Sequence, residues 1–172
     1  KIPPIRAVQT VSPGYFHTMW TRLVAGRELN WVEVEKRVPL VLISENLARE
    51  LYGSAQAAIG KRLGSCIPNT VLREVTGVVE NVPDNGIDKP APSIVYWPPV
   101  VAGLYTAEDF DVARYLTITV RSKSAGTDGM LSALNKALWQ VNKGIAVASP
   151  RTMQAILDRS MARTSFTMVP LG

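Results

Sequence analysis

Residues 38–53, VPLVLISENLARELYG, decide the fold of the first third of the chain. The run 38–43 is continuously apolar, which is the pattern of a strand that is covered on both faces. Ser44 then stands where a helix N-cap is preferred, and Gly53 stands where a helix ends in a left-handed residue. The helix between them turns three apolar residues inward, Leu47, Ala48 and Leu51. This stretch predicts a buried strand followed by an amphipathic helix.

The segment before this stretch predicts a strand, a short helix and a second strand. Residues 5–11 alternate as a strand does, and Ser12-Pro13 is a typical helix start that predicts a helix through Trp20. Its apolar face is formed by Phe16, Met19 and Trp20. His17, the only histidine, points about 100° away from Phe16 and is interpreted as a partly exposed residue without a functional role.

The rest of the chain predicts a β-rich region followed by a return to mixed structure. Strand candidates at 73–79 and 93–97 fall in a turn-rich, acidic range that begins near residue 60. Residues 115–121 then alternate as a half-buried strand. A helix is predicted over 129–142, a short strand over 145–148, and a last helix opened by Ser149-Pro150. The expected fold class is α+β.

The charge is distributed unevenly along the chain. The net charge of the 172 residues is +5, and the basic residues are concentrated in residues 1–73 and 114–172, around an acidic middle. The chain contains no run of basic residues interleaved with aromatic ones, so nucleic-acid binding is disfavoured. The uncharged stretch 90–107 contains four prolines, which exclude a membrane-spanning helix there.

Residues for catalysis or cofactor binding are hard to find in this sequence. Cys66 is the only cysteine, so an intrachain disulfide and a cysteine-built metal site are impossible. The acidic residues lack the spacing of a calcium loop, and 109–111, DFD, is interpreted as a solvated loop. We predict no catalytic, cofactor-binding or metal-binding residue. A small hydrolase built from scattered Asp and Lys side chains stays open as an alternative, because one sequence does not show spatial clusters.

The order of several motifs resembles the extracytoplasmic core domain of MacB/FtsX-type ABC transporter permeases. The motifs are SPGYF at 12–16, the Gly26-Arg27 turn, the helix at 46–48 that leads to GKRL at 60–63, and Val75, Gly77 and Val78. SIVYWP, LTITVRS and RTMQAILDRSMARTSF follow in the same order. The sequence departs from the family at Thr21, Arg22 and Ala58, which concerns the subgroup, here similar to the large acidobacterial permeases.

The resemblance implies a fold, a location and partners. Residues 1–59 and 113–172 would form a porter-like α+β subdomain, with 60–112 as an inserted β-rich subdomain. The domain would lie on the periplasmic side of the inner membrane, with both termini at its membrane-facing end. It would transmit the ATP-driven motion of membrane helices of its own chain. A cytoplasmic ATP-binding subunit would act indirectly, and a periplasmic adaptor or cargo would be the outer partner; nucleic acid is not expected as a partner.

Three aromatic residues of the middle region are candidates for contact with that partner: Trp97, Tyr105 and Phe110. For Trp97, whose context is a strand, core packing is the favoured interpretation. A binding module that uses the basic ends for nucleic acid or anionic lipid is the second alternative function.

Overall fold

The computed structural model describes residues 6–64, 71–84, 89–103, 109–113 and 116–166, the side chains of 162–166 excepted. The chain divides into two compact units, unit 1 (residues 1–119) and unit 2 (residues 120–172). The strands of unit 1 are β1 (Ala7–Thr10), β2 (Leu23–Gly26), β3 (Leu40–Ser44), β4 (Arg62–Leu63), β5 (Arg73–Val79), β6 (Ile94–Trp97), β7 (Val100–Ala102) and β8 (Phe110–Val112). Its helices are α1 (Tyr15–Met19), α2 (Trp31–Glu35), α3 (Glu45–Tyr52) and α4 (Ala55–Ala58); unit 2 contains α5 (Asp128–Val141) and α6 (Met153–Phe166).

Six strands of unit 1 form one mixed sheet. Its order is β1-β6-β3-β5-β2, and β4 pairs with β5 beside this path. β3 is parallel to β5 and antiparallel to β6, whereas β1 is parallel to β6 and β2 is antiparallel to β5. β7 and β8 pair antiparallel in a second sheet of two strands. The observed class is α+β, as predicted.

β3 is buried on both faces because helices cover both sides of the sheet. Val41 and Ile43 join the apolar cluster that α3 and α4 complete with Leu47 and Ala58. The opposite face of the sheet packs against Phe16 of α1 in a second cluster, which also contains Leu40, Leu42, Val79, Ile94 and Tyr96. The prediction of a strand covered on both faces is therefore confirmed, as is the helix that follows it. Of the three side chains predicted to turn inward, Leu47 and Ala48 are buried, whereas Leu51 is 46% exposed, so the buried face of α3 ends before its last turn.

The cap of α3 differs from the expected one. Ser44 occupies the N-cap position, but its hydroxyl donates to Asn46 Oδ1 at 2.5 Å and accepts from the backbone N–H of Ile94 at 2.9 Å. Asn46 Oδ1 in turn accepts from the N–H of Leu47 at 2.8 Å. Ser44 thus links the helix start to the neighbouring strand β6. Gly53 ends α3 in the left-handed region with φ 83°, as expected.

The helix start predicted at Ser12 is wrong by two residues. α1 begins at Tyr15 after Gly14, whose φ of 84° lies in the left-handed region. Ser12 and Pro13 form the turn before it, and the Ser12 carbonyl accepts from the Tyr15 N–H at 3.1 Å. Trp20 is 80% exposed and is therefore not part of the inner face of α1, because the chain turns away there with φ 59°.

Two strands predicted for the last third of the chain are absent. Residues 116–121 and 145–148 are not paired in a sheet, and Leu116 and Ile118 are 68% and 62% exposed. A strand needs hydrogen bonds to a neighbouring strand, and the alternation of apolar and polar residues does not by itself provide that neighbour. The helix predicted over 129–142 is confirmed as α5, capped by Thr127. The last helix begins at Met153, three residues later than a cap at Ser149 predicts.

The sheets include much of the predicted insert. β5 and β6 lie within 60–112 and belong to the main sheet with β1, β2 and β3, whereas β7 and β8 form the separate sheet. The division into residues 1–59 with 113–172 and an insert at 60–112 stays a prediction. The chain ends, which were expected at one membrane-facing end, lie outside the described residues.

Candidate functional site

Trp97 ends β6 and is only partly buried. Its side chain packs against the cluster under α3 and α4, and its carbonyl accepts from the Val11 N–H at 2.8 Å. The guanidinium carbon of Arg73 lies 4.7 Å from the centre of its ring. The core contact and this cation–π pair both hold the indole in place.

Arg73 is a buried cation, with 3% of the residue exposed. Its guanidinium donates to the carbonyls of Val71 at 3.0 Å and Ala102 at 2.7 Å, which ties β5 to β7. Burial lowers the pKa of Arg73, and the charge of Asp109 acts in the opposite direction. Because carbonyl oxygens of unit 1 accept its hydrogen bonds, Arg73 is a structural residue that holds the Trp97 ring in place.

Phe110, the first residue of β8, presents an aromatic ring at the surface. Its side chain is 51% exposed, and Arg37 places its guanidinium carbon 4.1 Å from the ring centre. Arg37 itself is exposed and adopts a left-handed conformation, with φ 55°, where Gly or Asn is usual. None of the ion pairs among the described residues involves Arg37. An aromatic ring and a cation are therefore displayed together on one surface.

The structure gives different surroundings to the two predicted contact residues that it describes. Trp97 packs against the core, Phe110 lies exposed on β8, and Tyr105 lies outside the described residues. Arg37 was not predicted as a contact residue. It is 73 positions from Phe110 in sequence, and no local pattern indicates the pair.

The tyrosines near α1 are packing residues. Phe16 stacks edge-to-face against Tyr15 and Tyr96, with ring centres 5.3 Å and 4.9 Å apart. Burial raises the pKa of both tyrosines, and the Asp84 carboxylate adds to the effect. His17 lies on the exposed side of the same helix, as predicted.

The described residues contain few features of a catalytic centre. No group of three or more His, Cys, Asp or Glu among them could hold a metal ion. The Arg27–Glu33 pair, at 2.5 Å, lowers the pKa of Glu33 and raises that of Arg27, chiefly through their hydrogen bond, and it braces the capping box of α2. A shallow cavity of about 420 Å³ lies along α5 and is lined by Asp128, Leu131, Ser132, Asn135, Lys136 and Trp139. Within the part of the chain that the structure describes, none of the helices has the length and apolarity to cross a bilayer.

A mixed sheet with helices on both faces, together with a two-stranded sheet that carries an exposed aromatic–cation pair, belongs to an α+β domain. Residues 3–137 match the model of the MacB-like periplasmic core domain, and the chain belongs to this family. The predicted family and periplasmic location are therefore confirmed at the level of the family.

Three solved structures are similar to this chain. They are the extracellular domain of the noncanonic ABC-type transporter YknZ from Gram-positive bacteria (22% identity, TM-score 0.38), the periplasmic region of MacB from Actinobacillus actinomycetemcomitans (17%, 0.40) and a domain of a putative permease protein from Porphyromonas gingivalis (17%, 0.47). The matches cover 53%, 81% and 84% of this chain and 42%, 66% and 65% of those chains. The chain thus spans less than two thirds of the length of each of these solved chains. Among curated proteins, none matches this sequence.

Proposed function

We propose that this chain is a non-catalytic extracytoplasmic domain of an ABC transporter permease, which transmits ATP-driven motion of membrane helices to a periplasmic partner or cargo. The family match over residues 3–137 carries the proposal. The proposed partners are the membrane helices of the same permease chain, an ATP-binding subunit on the cytoplasmic side, and a periplasmic adaptor or cargo. No nucleic-acid partner is proposed.

Transmission of motion needs a body that moves without deforming, and unit 1 has the packing of such a body. β3 is buried along its whole length, with one apolar cluster on each side of the sheet. Close-packed interiors have low compressibility and pass strain on. A displacement applied at one end of this sheet would therefore reach the other end with little loss.

The surface formed by Phe110 and Arg37 is the proposed contact with the periplasmic partner. Aromatic and arginine side chains are the usual anchors of interfaces, and both are exposed here. Tyr105 remains a proposed member of this contact. Trp97, which packs against the core and against Arg73, remains a proposed member with core packing as its favoured role. The proposed division into a porter-like part (residues 1–59 and 113–172) and an insert at 60–112 would place Phe110 on the insert and Arg37 on the porter-like part.

We also propose that the domain is not catalytic, because the ionisable groups with shifted pKa values make structural contacts. Arg27 and Glu33 bond to each other, Arg73 bonds to carbonyls, and the tyrosines with raised pKa values are packed in the core or against its edge. A hydrolase would need clustered ionisable groups around a pocket that admits a substrate. The cavity on α5 is lined by residues of one helix, which is a poor frame for such chemistry.

Fluorescence energy transfer tests the proposed motion. The full-length permease with its ATP-binding subunit is placed in nanodiscs, and a donor dye is attached to His17→Cys in a Cys66→Ser background. An acceptor on a headgroup reports the distance to the bilayer. We expect the transfer efficiency to change when ATP is added and not when ADP is added. An unchanged efficiency while the subunit hydrolyses ATP would contradict the proposal.

A further inference from the structure

The net positive charge of the chain lies entirely in unit 2. Residues 1–119 contain twelve Lys/Arg and twelve Asp/Glu, whereas residues 120–172 contain seven basic and two acidic residues. The seven basic residues are Arg121, Lys123, Lys136, Lys143, Arg151, Arg159 and Arg163. A unit of 53 residues with a net charge of +5 attracts anionic partners.

Helix α6 combines this charge with exposed apolar side chains. Met153, Ile156 and Leu157 follow at helical spacing on one face and are 50%, 41% and 41% exposed. Arg159 comes three residues after Ile156 and is therefore its neighbour on the helix surface. Arg151 stands just before the helix. Both arginines are exposed.

The end of α5 shows the same combination. Trp139 is half exposed, and its indole N–H donates to the Ile145 carbonyl at 3.2 Å. Val141 is 83% exposed, and the exposed Lys143 follows two residues later. A tryptophan with an apolar body and a satisfied N–H, next to a cation, is typical of residues that lie at a membrane–water boundary.

We propose that unit 2 binds the anionic headgroup surface of a bilayer through α6 and the end of α5. Helix α6 shows apolar side chains beside Arg159, and Arg151 stands just before its start, so the apolar side chains can lie at the acyl boundary while these cations lie among headgroups. A nucleic acid would match the charge but would not use Met, Ile and Leu side chains, because binding there relies on aromatic stacking. The inference rests on the proposed function in one respect: a permease places a bilayer beside the domain.

Co-sedimentation with vesicles tests this inference. The purified 172-residue chain is mixed with vesicles of phosphatidylcholine alone and of three parts phosphatidylcholine to one part phosphatidylglycerol. We expect binding to the second kind only, weakened by added salt. Since each cation near such a surface contributes about a factor of five in affinity, the double variant Arg151→Gln/Arg159→Gln should bind about tenfold more weakly or worse.

Three further double variants separate binding by the proposed surface from other causes of weakened binding. Lys61→Gln/Arg62→Gln removes the same charge from exposed positions of unit 1 and should bind as the unchanged chain does. Ile156→Ser/Leu157→Ser removes apolar contact and should also weaken binding. Circular dichroism checks that each variant folds, and Arg151→Lys/Arg159→Lys, which keeps both charges, should restore most of the affinity.

Three results would overturn the inference. They are the absence of binding to the anionic vesicles, an equal loss of binding for the unit 1 and unit 2 charge variants, and binding to a DNA oligonucleotide that exceeds vesicle binding and needs the same arginines. None of these results touches the proposed function, because the energy-transfer experiment on the permease is independent of them. An unchanged transfer signal with normal vesicle binding would instead contradict the proposed function alone.

Discussion

Gly26 of β2 lies directly opposite Gly77 of β5, and neither position has space for a side chain. A Cβ on Gly26 would overlap the carbonyl oxygen of Thr76, and a Cβ on Gly77 would overlap that of Arg27. The two strands approach so closely here that only a glycine fits at either position. The Arg27 N–H donates to the Thr76 carbonyl at 2.9 Å beside this pair.

Replacing Gly26 by Ala should destabilise unit 1 by about 3 kcal/mol or more, because the strands must separate and φ of 73° strains any other residue. Gly53→Ala is the matched control, since φ is 83° there but nothing lies within 4 Å of the added Cβ. That variant should lose only about 1 kcal/mol. Urea unfolding measures both. Equal losses would show that the contact with Thr76 is not what matters.

Glu33→Gln should weaken α2 in a way that depends on pH. The hydrogen bond to Arg27 lowers the pKa of Glu33 in the folded chain, so its contribution is present above the ordinary glutamate pKa and is lost as the pH falls through the folded value. We expect a loss of about 0.5 kcal/mol at neutral pH, as for other exposed pairs. The difference from the unchanged chain should begin to shrink as the pH falls below the ordinary glutamate pKa of about 4.3, and it should vanish only below the lowered pKa of the folded chain. A constant difference across this range would exclude the ion pair as its cause.

Arg73→Met should be among the more damaging changes in unit 1. The methionine keeps some packing against Trp97 but leaves the carbonyls of Val71 and Ala102 without their donor, which costs about 1–3 kcal/mol. Arg73→Lys keeps the charge but not the planar stack or the two-sided donation, and it should recover only part of the stability. A methionine variant as stable as the unchanged chain in thermal unfolding would show that these bonds contribute nothing.

Phe110→Ala should leave stability within about 0.5 kcal/mol, because the ring is half exposed on the second sheet. Trp97→Ala should cost about 3 kcal/mol, because its side chain packs against the core beneath α3 and α4. Denaturant titration of the two variants separates a surface contact residue from a packing residue. If Phe110→Ala were the more destabilising of the two, Phe110 would be a packing residue rather than a contact.

The sequence predicted those elements that carry their own local signals, namely apolar periodicity and residues typical of helix or strand ends. Four predictions of this kind are confirmed: the strand–helix stretch 38–53, the strands at 73–79 and 94–97, and the helix α5. The predicted strands at 115–121 and 145–148 were wrong, because the alternation of apolar and polar residues does not supply a neighbouring strand to pair with. The start of α1 was misplaced because Gly14 takes a left-handed conformation that Ser12-Pro13 does not reveal.

The sequence predicted only part of the candidate site. Phe110 stood out as an aromatic residue in a turn-rich region, but its arginine comes from the end of α2, far away in the chain. In the same way, the support of Trp97 by Arg73 depends on how β5 and β6 flank β3 in the sheet. Contacts between distant segments are set by the fold, and no single-sequence pattern records them.

The rate of ATP hydrolysis tests the central claim most directly. An antibody fragment that covers Phe110 and Arg37 is bound to the full-length permease with its ATP-binding subunit in nanodiscs. The affinities of ATP and of the fragment are coupled reciprocally, so a change in one requires a change in the other by the same factor. A fragment that loads a domain driven by the ATP-dependent helices should also alter the hydrolysis rate. We expect the saturated fragment to change the hydrolysis rate at least twofold, and ATP to change the affinity of the fragment. An unchanged rate at full occupancy, together with equal affinity in the presence and absence of ATP, would contradict the claim that this domain transmits the motion.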